Sequence, residues 1–125
     1  MNFLVIDGAK DEINFFSHYN NNIYNKSFGA SKNNNEKFSM YLFDFFNINN
    51  IKLSELNNIF INLGPGKFSG IRTSIAIAKA ICLTNRLNLY GYNSNDLKDI
   101  NYMNIIDLHK KGNLTKNLIN PIYSS

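Results

Sequence analysis

The residues with the clearest chemical potential form a glycine-rich segment from Gly64 to Arg72, which we call the elbow. It follows an apolar run at Ile59 to Ile61 and leads into a helical pattern that begins near Ile71. Glycine lets another group approach the backbone, and the first turn of a helix offers unpaired N–H groups to an anion. An anion-binding loop and a tight strand-to-helix connection are therefore both open interpretations. The residues concerned are Gly64, Pro65, Gly66, Lys67, Phe68, Ser69, Gly70 and Arg72.

The elbow does not have the spacing of a nucleotide-binding P-loop. That motif requires G-x-x-x-x-G-K-[ST], so that backbone N–H groups surround the phosphates and the hydroxyl reaches Mg²⁺. Here Ile61 occupies the position of the first glycine, and Phe68 follows Lys67 where a hydroxyl is needed. The sequence therefore argues against a Walker-type site.

The histidines and serines form no recognisable catalytic or metal-binding pattern. His18 and His109 are far apart in sequence and lack further ligands at useful spacing, so a zinc site has little support. The nucleophile pattern G-x-S-x-G is absent from the sequence. The residues thus predict no catalytic site, no metal site and no cofactor.

The composition is typical of one globular domain with a mildly basic surface. The 125 residues are 44% hydrophobic, which is enough for one core, and the net charge is +4. Such a charge permits weak attraction to RNA or to an acidic protein face. Arg72, Lys79 and Arg86 recur every seven residues as a basic edge, a pattern more typical of a solvated helix face than of an RNA-binding track.

The cysteine content and the first residues favour a cytoplasmic protein. Cys82 is the single cysteine, so no intramolecular disulfide can form, and its apolar setting predicts a buried thiol in a reducing compartment. The first residues lack the basic and apolar regions of a secretory signal. No run approaches the roughly 18 apolar residues of a membrane span, so we expect no membrane association.

Hydrophobic periodicity predicts one domain of alternating strands and helices. Clusters of glycine, proline and asparagine mark the turns between them. We expect strands at Phe3 to Ile6, Asn58 to Leu63, Leu87 to Tyr92 and Tyr102 to Leu108; a hairpin of Glu12 to Tyr19 and Asn22 to Phe28; helices at Glu36 to Ile48 and Gly70 to Asn85; a helical turn from Asn95 or Asp96 to Ile100; and a tail from Leu114 to Tyr123.

The first predicted helix is apolar on two sides, since Met40 and Phe43 lie opposite its main apolar face. A helix that is apolar all round is buried on both sides. Either a partner covers one side, or the helix is sunk in the core of its own chain. The second helix carries an apolar stripe as well. The candidate partner residues of the two helices are Phe38, Tyr41, Leu42, Phe45, Ile71, Ile75, Ala78 and Cys82.

Several segments together resemble the TsaB family, also called YeaZ. The strand end Val5 to Asp7 is similar to the family's L-x-[IL]-D-[TS] strand. The elbow is similar to the family's G-x-G-P-G-[SR]-[FY]-[TS]-G-[LVI]-R. Ile75 to Ala80, Leu89 to Tyr92 and Pro121 to Tyr123 resemble the helix, the strand and the terminal P-[VI]-Y that follow in that family.

This resemblance implies an α/β lobe of the actin/Hsp70/sugar-kinase (ASKHA, RNase H-like) superfamily, with a mixed sheet and helices. It implies a non-catalytic subunit that pairs with TsaD, which transfers threonylcarbamoyl to the adenosine next to the anticodon of tRNA. The same helix face supports self-pairing in the family, so a homodimer would compete with the heterodimer. A TsaE-like ATPase is the third partner, and tRNA would be met only indirectly. A small nucleotide- or anion-binding module that uses the elbow stays as the alternative.

Two departures from the family pattern favour a scaffold over an enzyme. Gly8-Ala9 follow Asp7 where the family usually has Thr or Ser, so this turn supplies no hydroxyl to a phosphate. TsaB proteins also commonly have two lobes. We expect residues 1–125 to form a single N-terminal lobe, with residues 102–125 a remnant of the second lobe and a C-terminal tail. Because most of the second lobe would be missing, we expect no cleft of the kind that closes around ATP. We therefore interpret the elbow as a structural hinge.

Overall fold

Three consecutive strands open the chain, strands and helices then alternate, and the helices cover a single sheet. The computed structural model describes residues 1–97, 101–116 and 122. Within these residues the strands are β1 (Phe3–Asp7), β2 (Ile13–Tyr19), β3 (Asn22–Phe28), β4 (Asn58–Asn62), β5 (Asn88–Tyr92) and β6 (Thr115–Lys116). The helices are α1 (Asn34–Ile48), α2 (Phe68–Asn85) and α3 (Ile105–Lys110), with 3₁₀ turns at Leu53–Glu55, Ser94–Asp96 and Tyr102–Asn104.

The sheet is mixed, with the strand order β3-β2-β1-β4-β5-β6. β1 pairs with β2 antiparallel and with β4 parallel, so Val5 lies between Phe16 and Phe60. β4 and β5 are also parallel, whereas the β2–β3 and β5–β6 pairs are antiparallel. Asn20 and Asn21 make the tight β2–β3 turn with φ of 50° and 65°, a left-handed conformation that asparagine tolerates. The predicted hairpin is therefore confirmed.

Side chains of β1 point alternately into two apolar layers, one on each face of the sheet. Leu4 and Ile6 face α1 and α2, and Phe3 and Val5 face the opposite layer. All five residues of β1 are buried, as expected for a central strand covered on both sides. This arrangement fixes Asp7, the last residue of the strand, at the edge of the sheet from which the elbow also starts.

The layer opposite α1 and α2 is closed by the segment Tyr102–Asn104 and α3. Ile105 is fully buried there with Phe3 and Phe60. The predicted strand from Tyr102 to Leu108 is thus wrong, because this segment packs on the sheet as a 3₁₀ turn and a short helix. A short apolar run does not by itself distinguish a strand from a buried helix. The Asn101 side chain accepts a hydrogen bond from the Met103 N–H at 3.1 Å and so favours the helical start.

The other predicted strands and helices are confirmed with small shifts of the element ends, and β6 lies in the segment that was predicted to be a tail. α1 and α2 each begin two residues earlier than expected, and the helical turn after β5 is the 3₁₀ turn Ser94–Asp96. The rest of that predicted turn, at 98–100, lies outside the described residues, as does most of the predicted tail beyond β6. None of the helices in the described part of the chain is both long and apolar enough to cross a bilayer.

Candidate functional site

The elbow is packed tightly against the turn that follows β1. The Lys67 N–H donates to the Ala9 carbonyl oxygen at 2.7 Å. A Cβ added to Gly66 would lie 2.1 Å from that same oxygen, and one added to Gly70 would lie 2.3 Å from the Gly8 oxygen. Both distances are far inside van der Waals contact. These two glycines are therefore required by close backbone approach, which accounts for part of the glycine pattern without any ligand.

The first half of the elbow is held from the other side by the residues after β5. The Ser94 N–H donates to the Gly64 oxygen at 2.9 Å, and the Ser94 hydroxyl donates to the Pro65 oxygen at 3.0 Å. Gly64 itself has a φ of 97°, a conformation that favours glycine. The elbow thus connects β4 to α2, and its backbone is hydrogen-bonded to the residues that follow β1 and β5.

The charged and polar side chains of the elbow lie at the surface. The Lys67 ammonium is 3.0 Å from a carboxylate oxygen of Asp11, and both side chains are nearly two-thirds exposed. Such a pair contributes about 0–1 kcal/mol to stability. Ser69 and Arg72 are exposed on the first turns of α2. Lys79 and Arg86 are exposed as well, so the predicted basic edge is solvated in this chain.

A buried carboxylate lies beside the elbow, at the carboxyl end of β1. Asp7 Oδ1 accepts hydrogen bonds from Asn62 Nδ2 at 3.0 Å and from the Ala9 N–H at 3.3 Å, and Asp7 Oδ2 accepts one from the Tyr102 hydroxyl at 2.7 Å. Asn62 Oδ1 in turn accepts from the Gly64 N–H at 2.8 Å. Three donors therefore satisfy the carboxylate, and Asn62 links it to the elbow.

The two tyrosines of this edge are neutral phenols. Burial, followed by the negative charge of Asp7, raises the pKa of Tyr92 and the pKa of Tyr102 above the ordinary tyrosine value. Neither phenol can therefore act as a base at neutral pH. Tyr102 is held as a donor to Asp7, which is the role that the geometry gives it.

A cavity of about 540 Å³ lies over the same edge of the sheet. Crevices at the carboxyl ends of parallel strands are the usual ligand sites of open α/β sheets. Sequence reasoning placed Asp7 at a strand end but did not identify Asn62 or Tyr102 as its neighbours. The available signal was a polar residue at the end of each of two apolar strands. The residues lining the cavity include Asp7, Lys10, Asn62, Tyr92, Ser94 and Tyr102.

The predicted partner residues of the two helices lie mainly in the core of this chain. Phe38 and Phe45 pack on Phe15, with ring centroids 5.6 and 5.7 Å apart, and Tyr41 is half-buried and stacked on Phe28. The expectation that these side chains form a partner surface therefore needs correction, because the sheet already covers them. The buried members of the predicted set are Phe38, Leu42, Phe45, Ile71, Ile75, Ala78 and Cys82.

The opposite side of the same helices carries exposed apolar side chains. Met40 and Phe43 of α1 are 51% and 53% exposed, and Leu83 of α2 is 85% exposed. Ala76 and Ala80 are exposed on the outer side of α2, and their small side chains add little bulk there. α1 and α2 pack against each other in one layer. We call Met40, Phe43, Ala76, Ala80 and Leu83 the outer helix surface.

The thiol and the acidic residues offer little further chemistry. Burial raises the pKa of the Cys82 thiol to about 12, so it is not a reactive thiolate. Across the described ranges, His, Cys, Asp and Glu side chains form no group of three placed to hold a metal ion.

The strand order defines the fold. A mixed sheet with an antiparallel β1–β2–β3 meander, parallel β1, β4 and β5, and helices packed on it is an RNase H-like (ASKHA-like) fold. YeaZ from Pseudomonas aeruginosa superposes with a TM-score of 0.70 at 14% identity, over 89% of this chain and 50% of YeaZ. Thermus thermophilus RuvC, solved with a Holliday junction substrate, shares the fold less closely, with a TM-score of 0.52 at 8% identity, over 78% of this chain and 68% of RuvC.

Local sequence identity agrees with this structural likeness. A segment of 41 residues is 44% identical to the tRNA threonylcarbamoyladenosine biosynthesis protein TsaB of Buchnera aphidicola and covers 33% of this chain and 20% of that protein. A segment of 69 residues is 35% identical to an uncharacterized protein of Mycoplasma genitalium and covers 54% of this chain and 35% of that protein. No protein-family model matches the sequence.

The chain is similar to TsaB/YeaZ proteins in local sequence identity and in fold. The matched segments span a fifth to about a third of the two curated relatives, and the structural match spans half of YeaZ. The resemblance to TsaB/YeaZ expected from the sequence is therefore confirmed.

Proposed function

We propose that this chain is a non-catalytic scaffold that pairs with a TsaD-like protein and supports threonylcarbamoyl transfer to the adenosine next to the anticodon of tRNA. The observation that carries the proposal is the outer helix surface, because its aromatic and aliphatic side chains are exposed although the helices already have a core on their other side. Exposed apolar side chains grouped on one face are typical of a protein interface.

The partner contact would use the outer sides of α1 and α2 rather than the inner sides named from the sequence. Phe43 and Met40 supply bulky apolar contacts from α1, and Leu83 supplies one from α2. The small residues Ala76 and Ala80 let a partner helix approach α2 closely. Two helices from each partner would form a four-helix contact that buries these side chains. The same surface could pair with a second copy of this chain, so heterodimer and homodimer would compete for it.

The strand edge supports a scaffold role more than an enzymatic one. The carboxylate of Asp7 accepts hydrogen bonds from Asn62, Ala9 and Tyr102, and these contacts hold the elbow and the 102–110 segment in place. A TsaE-like ATPase could join such a complex, and tRNA would be bound by the partner rather than by this chain. The chemistry of the transfer would then belong to the TsaD-like subunit.

Co-elution in size-exclusion chromatography tests the proposal. The full chain and the TsaD-like protein of the same organism should leave the column together as a heterodimer. The chain alone should shift toward a homodimer as its concentration rises. An excess of the partner should dissociate that homodimer in favour of the heterodimer. Separate elution of the two proteins at micromolar concentrations of each would overturn the proposal.

The alternative function, a small nucleotide- or anion-binding module, makes a different prediction for the isolated chain. Calorimetry with ATP and Mg²⁺ should show micromolar binding that Lys67→Ala abolishes. The exposed position of Lys67 and its contact with Asp11 place it at the surface near the start of α2, apart from the cavity around Asp7. The scaffold proposal predicts no binding of ATP at micromolar concentration.

A further inference from the structure

We propose that a second cavity, between the first turns of α1 and α2, binds a small oxyanion that carries a hydroxyl group, with hydrogen phosphate as the model ligand. This cavity measures about 260 Å³ and is separate from the helix surface assigned to the protein partner. It is formed where the turn after β1, the residues before α1 and the elbow meet. The side chains that line it include Lys10, Asp11, Lys32, Asn34, Lys67 and Ser69.

The cavity has an excess of positive charge. Lys10, Lys32 and Lys67 line it, and Asp11 is the acidic residue among its lining side chains. Three positive charges and one negative charge leave an excess of two. The Asp11 carboxylate is placed 3.0 Å from Lys67, and no ion pair of Lys10 or Lys32 occurs in the part of the chain that the structure describes. An anion in this cavity would therefore meet two lysines for which the described residues provide no carboxylate partner.

Two helix N-termini meet at the same place. Asn34 is the first residue of α1, and Ser69 and Gly70 belong to the first turn of α2. No side chain caps the first turn of either helix. The N–H groups of a first turn and the positive end of the helix dipole both favour an anion. The two helices would act on one ligand, because residues of both first turns line one cavity.

Asn34 provides evidence for a ligand that is independent of the lysines and of the helix ends. The residue is 6% exposed, and its Nδ2 donates to the Gly29 oxygen at 3.0 Å and to the Asp11 oxygen at 3.3 Å. These two carbonyl acceptors fix the orientation of the amide group, so the oxygen cannot be exchanged for the nitrogen. Asn34 Oδ1 is buried and has no hydrogen-bond partner among the described residues. An unpaired buried acceptor is costly, and a donor from a ligand would satisfy it.

The combination of an acceptor with surrounding positive charge selects the class of anion. A fully deprotonated oxyanion would satisfy the lysines and the helix ends but would place a further acceptor against Asn34 Oδ1. An oxyanion that keeps a hydroxyl can donate to Asn34 and accept from the other groups. At pH 8 hydrogen phosphate keeps one hydroxyl, whereas sulfate and a phosphate monoester such as methyl phosphate have none.

Titration of the full chain with hydrogen phosphate, sulfate and methyl phosphate at pH 8 and matched ionic strength tests this site. Phosphate should bind saturably and shift the Asn34 side-chain amide signals in a ¹H–¹⁵N spectrum. Sulfate and methyl phosphate should bind at least about tenfold more weakly, because each would leave the Asn34 oxygen unpaired. Preference for methyl phosphate would indicate a phosphate monoester as the ligand and would overturn the hydroxyl argument.

Two lysine variants separate a built site from general charge attraction. Lys32→Ala should weaken phosphate binding by at least about threefold, since it removes one charge from the cavity. Lys79→Ala removes the same charge from an exposed position on α2 that does not line the cavity, and it should leave binding unchanged. Equal affinity for phosphate and sulfate, equal loss in the two variants, or no saturable binding would each overturn the proposal.

Discussion

The Tyr102 hydroxyl donates a 2.7 Å hydrogen bond to Asp7 Oδ2 across 95 positions of sequence. This contact joins the segment that covers the second face of the sheet to the end of its central strand. It also places a neutral phenol at the carboxylate that lies beside the elbow. The relationship predicts that the covering segment and the strand edge are stabilised together.

Tyr102→Phe should lower the free energy of unfolding by about 1–3 kcal/mol, because it removes a hydrogen bond to a buried charged acceptor. Urea denaturation followed by circular dichroism measures the change. Tyr24→Phe is the matched control, since the half-buried Tyr24 on β3 makes no comparable contact with a carboxylate of the described residues. If both variants unfold at the same urea concentration as the wild type, the Tyr102–Asp7 contact does not stabilise the fold.

Gly66→Ala should destabilise the chain by at least about 2 kcal/mol, because the new Cβ would overlap the Ala9 oxygen and the elbow would have to move. Gly29→Ala introduces the same methyl group where no atom lies within 4 Å, so its effect should stay within about 0.5 kcal/mol. Thermal unfolding of the two variants gives the comparison. An equally stable Gly66→Ala protein would show that the glycine pattern is not required by packing.

Phe45→Asp and Phe43→Asp should differ sharply in stability although they are two residues apart on α1. Phe45 packs on Phe15 in the core, so its replacement by a charge should cost at least about 3 kcal/mol and unfold much of the protein. Phe43 is half exposed on the outer helix surface, and its replacement should change stability by less than about 1 kcal/mol. Circular dichroism spectra and melting curves of the two variants decide the orientation of α1. A folded Phe45→Asp protein would reverse the assignment of the two faces.

The Cys82 thiol should resist a thiol reagent such as dithionitrobenzoate at pH 8 in the folded protein and react rapidly once the chain is unfolded. Burial raises the pKa of this thiol from about 9 to about 12 in the folded state. A thiol whose pKa is higher in the folded than in the unfolded state contributes its full stabilisation at pH values below the pKa of the unfolded state. That contribution is lost as the pH rises from about 9 to about 12. Cys82→Ala should reduce this loss of stability at alkaline pH. The raised pKa of Tyr92 should account for part of the loss that remains. Rapid native-state labelling at pH 8 would contradict the burial of the thiol.

The sequence predicted the local features of the fold better than its long-range contacts. The glycines of the elbow and the apolar run before them identified a tight strand-to-helix connection, because backbone geometry there depends on adjacent residues. The two sides of α1 were harder to assign. Phe43 and Phe45 lie on different sides of a helix that is apolar all round, and periodicity alone does not say which side meets the sheet.

The strand edge could not be predicted because its members come from distant parts of the chain. Asn62 reaches Asp7 across 55 positions, and Tyr102 does so across 95. The segment that carries Tyr102 was expected to be a strand, which would have directed its side chains differently. The outcome depended on packing against β1 and β4, and a short apolar run contains no signal for that packing.

The central claim, that the outer helix surface binds a TsaD-like partner, is tested most directly by the affinity of four forms of the chain for that partner. Titration calorimetry would compare the wild type with Phe43→Asp, Leu83→Asp and the control Ile23→Asp, which changes a side chain of similar exposure to Phe43 on β3. We predict that Phe43→Asp and Leu83→Asp each weaken binding by at least about tenfold, whereas Ile23→Asp does not. Equal affinity of all four folded proteins, or a loss confined to Ile23→Asp, would contradict the account.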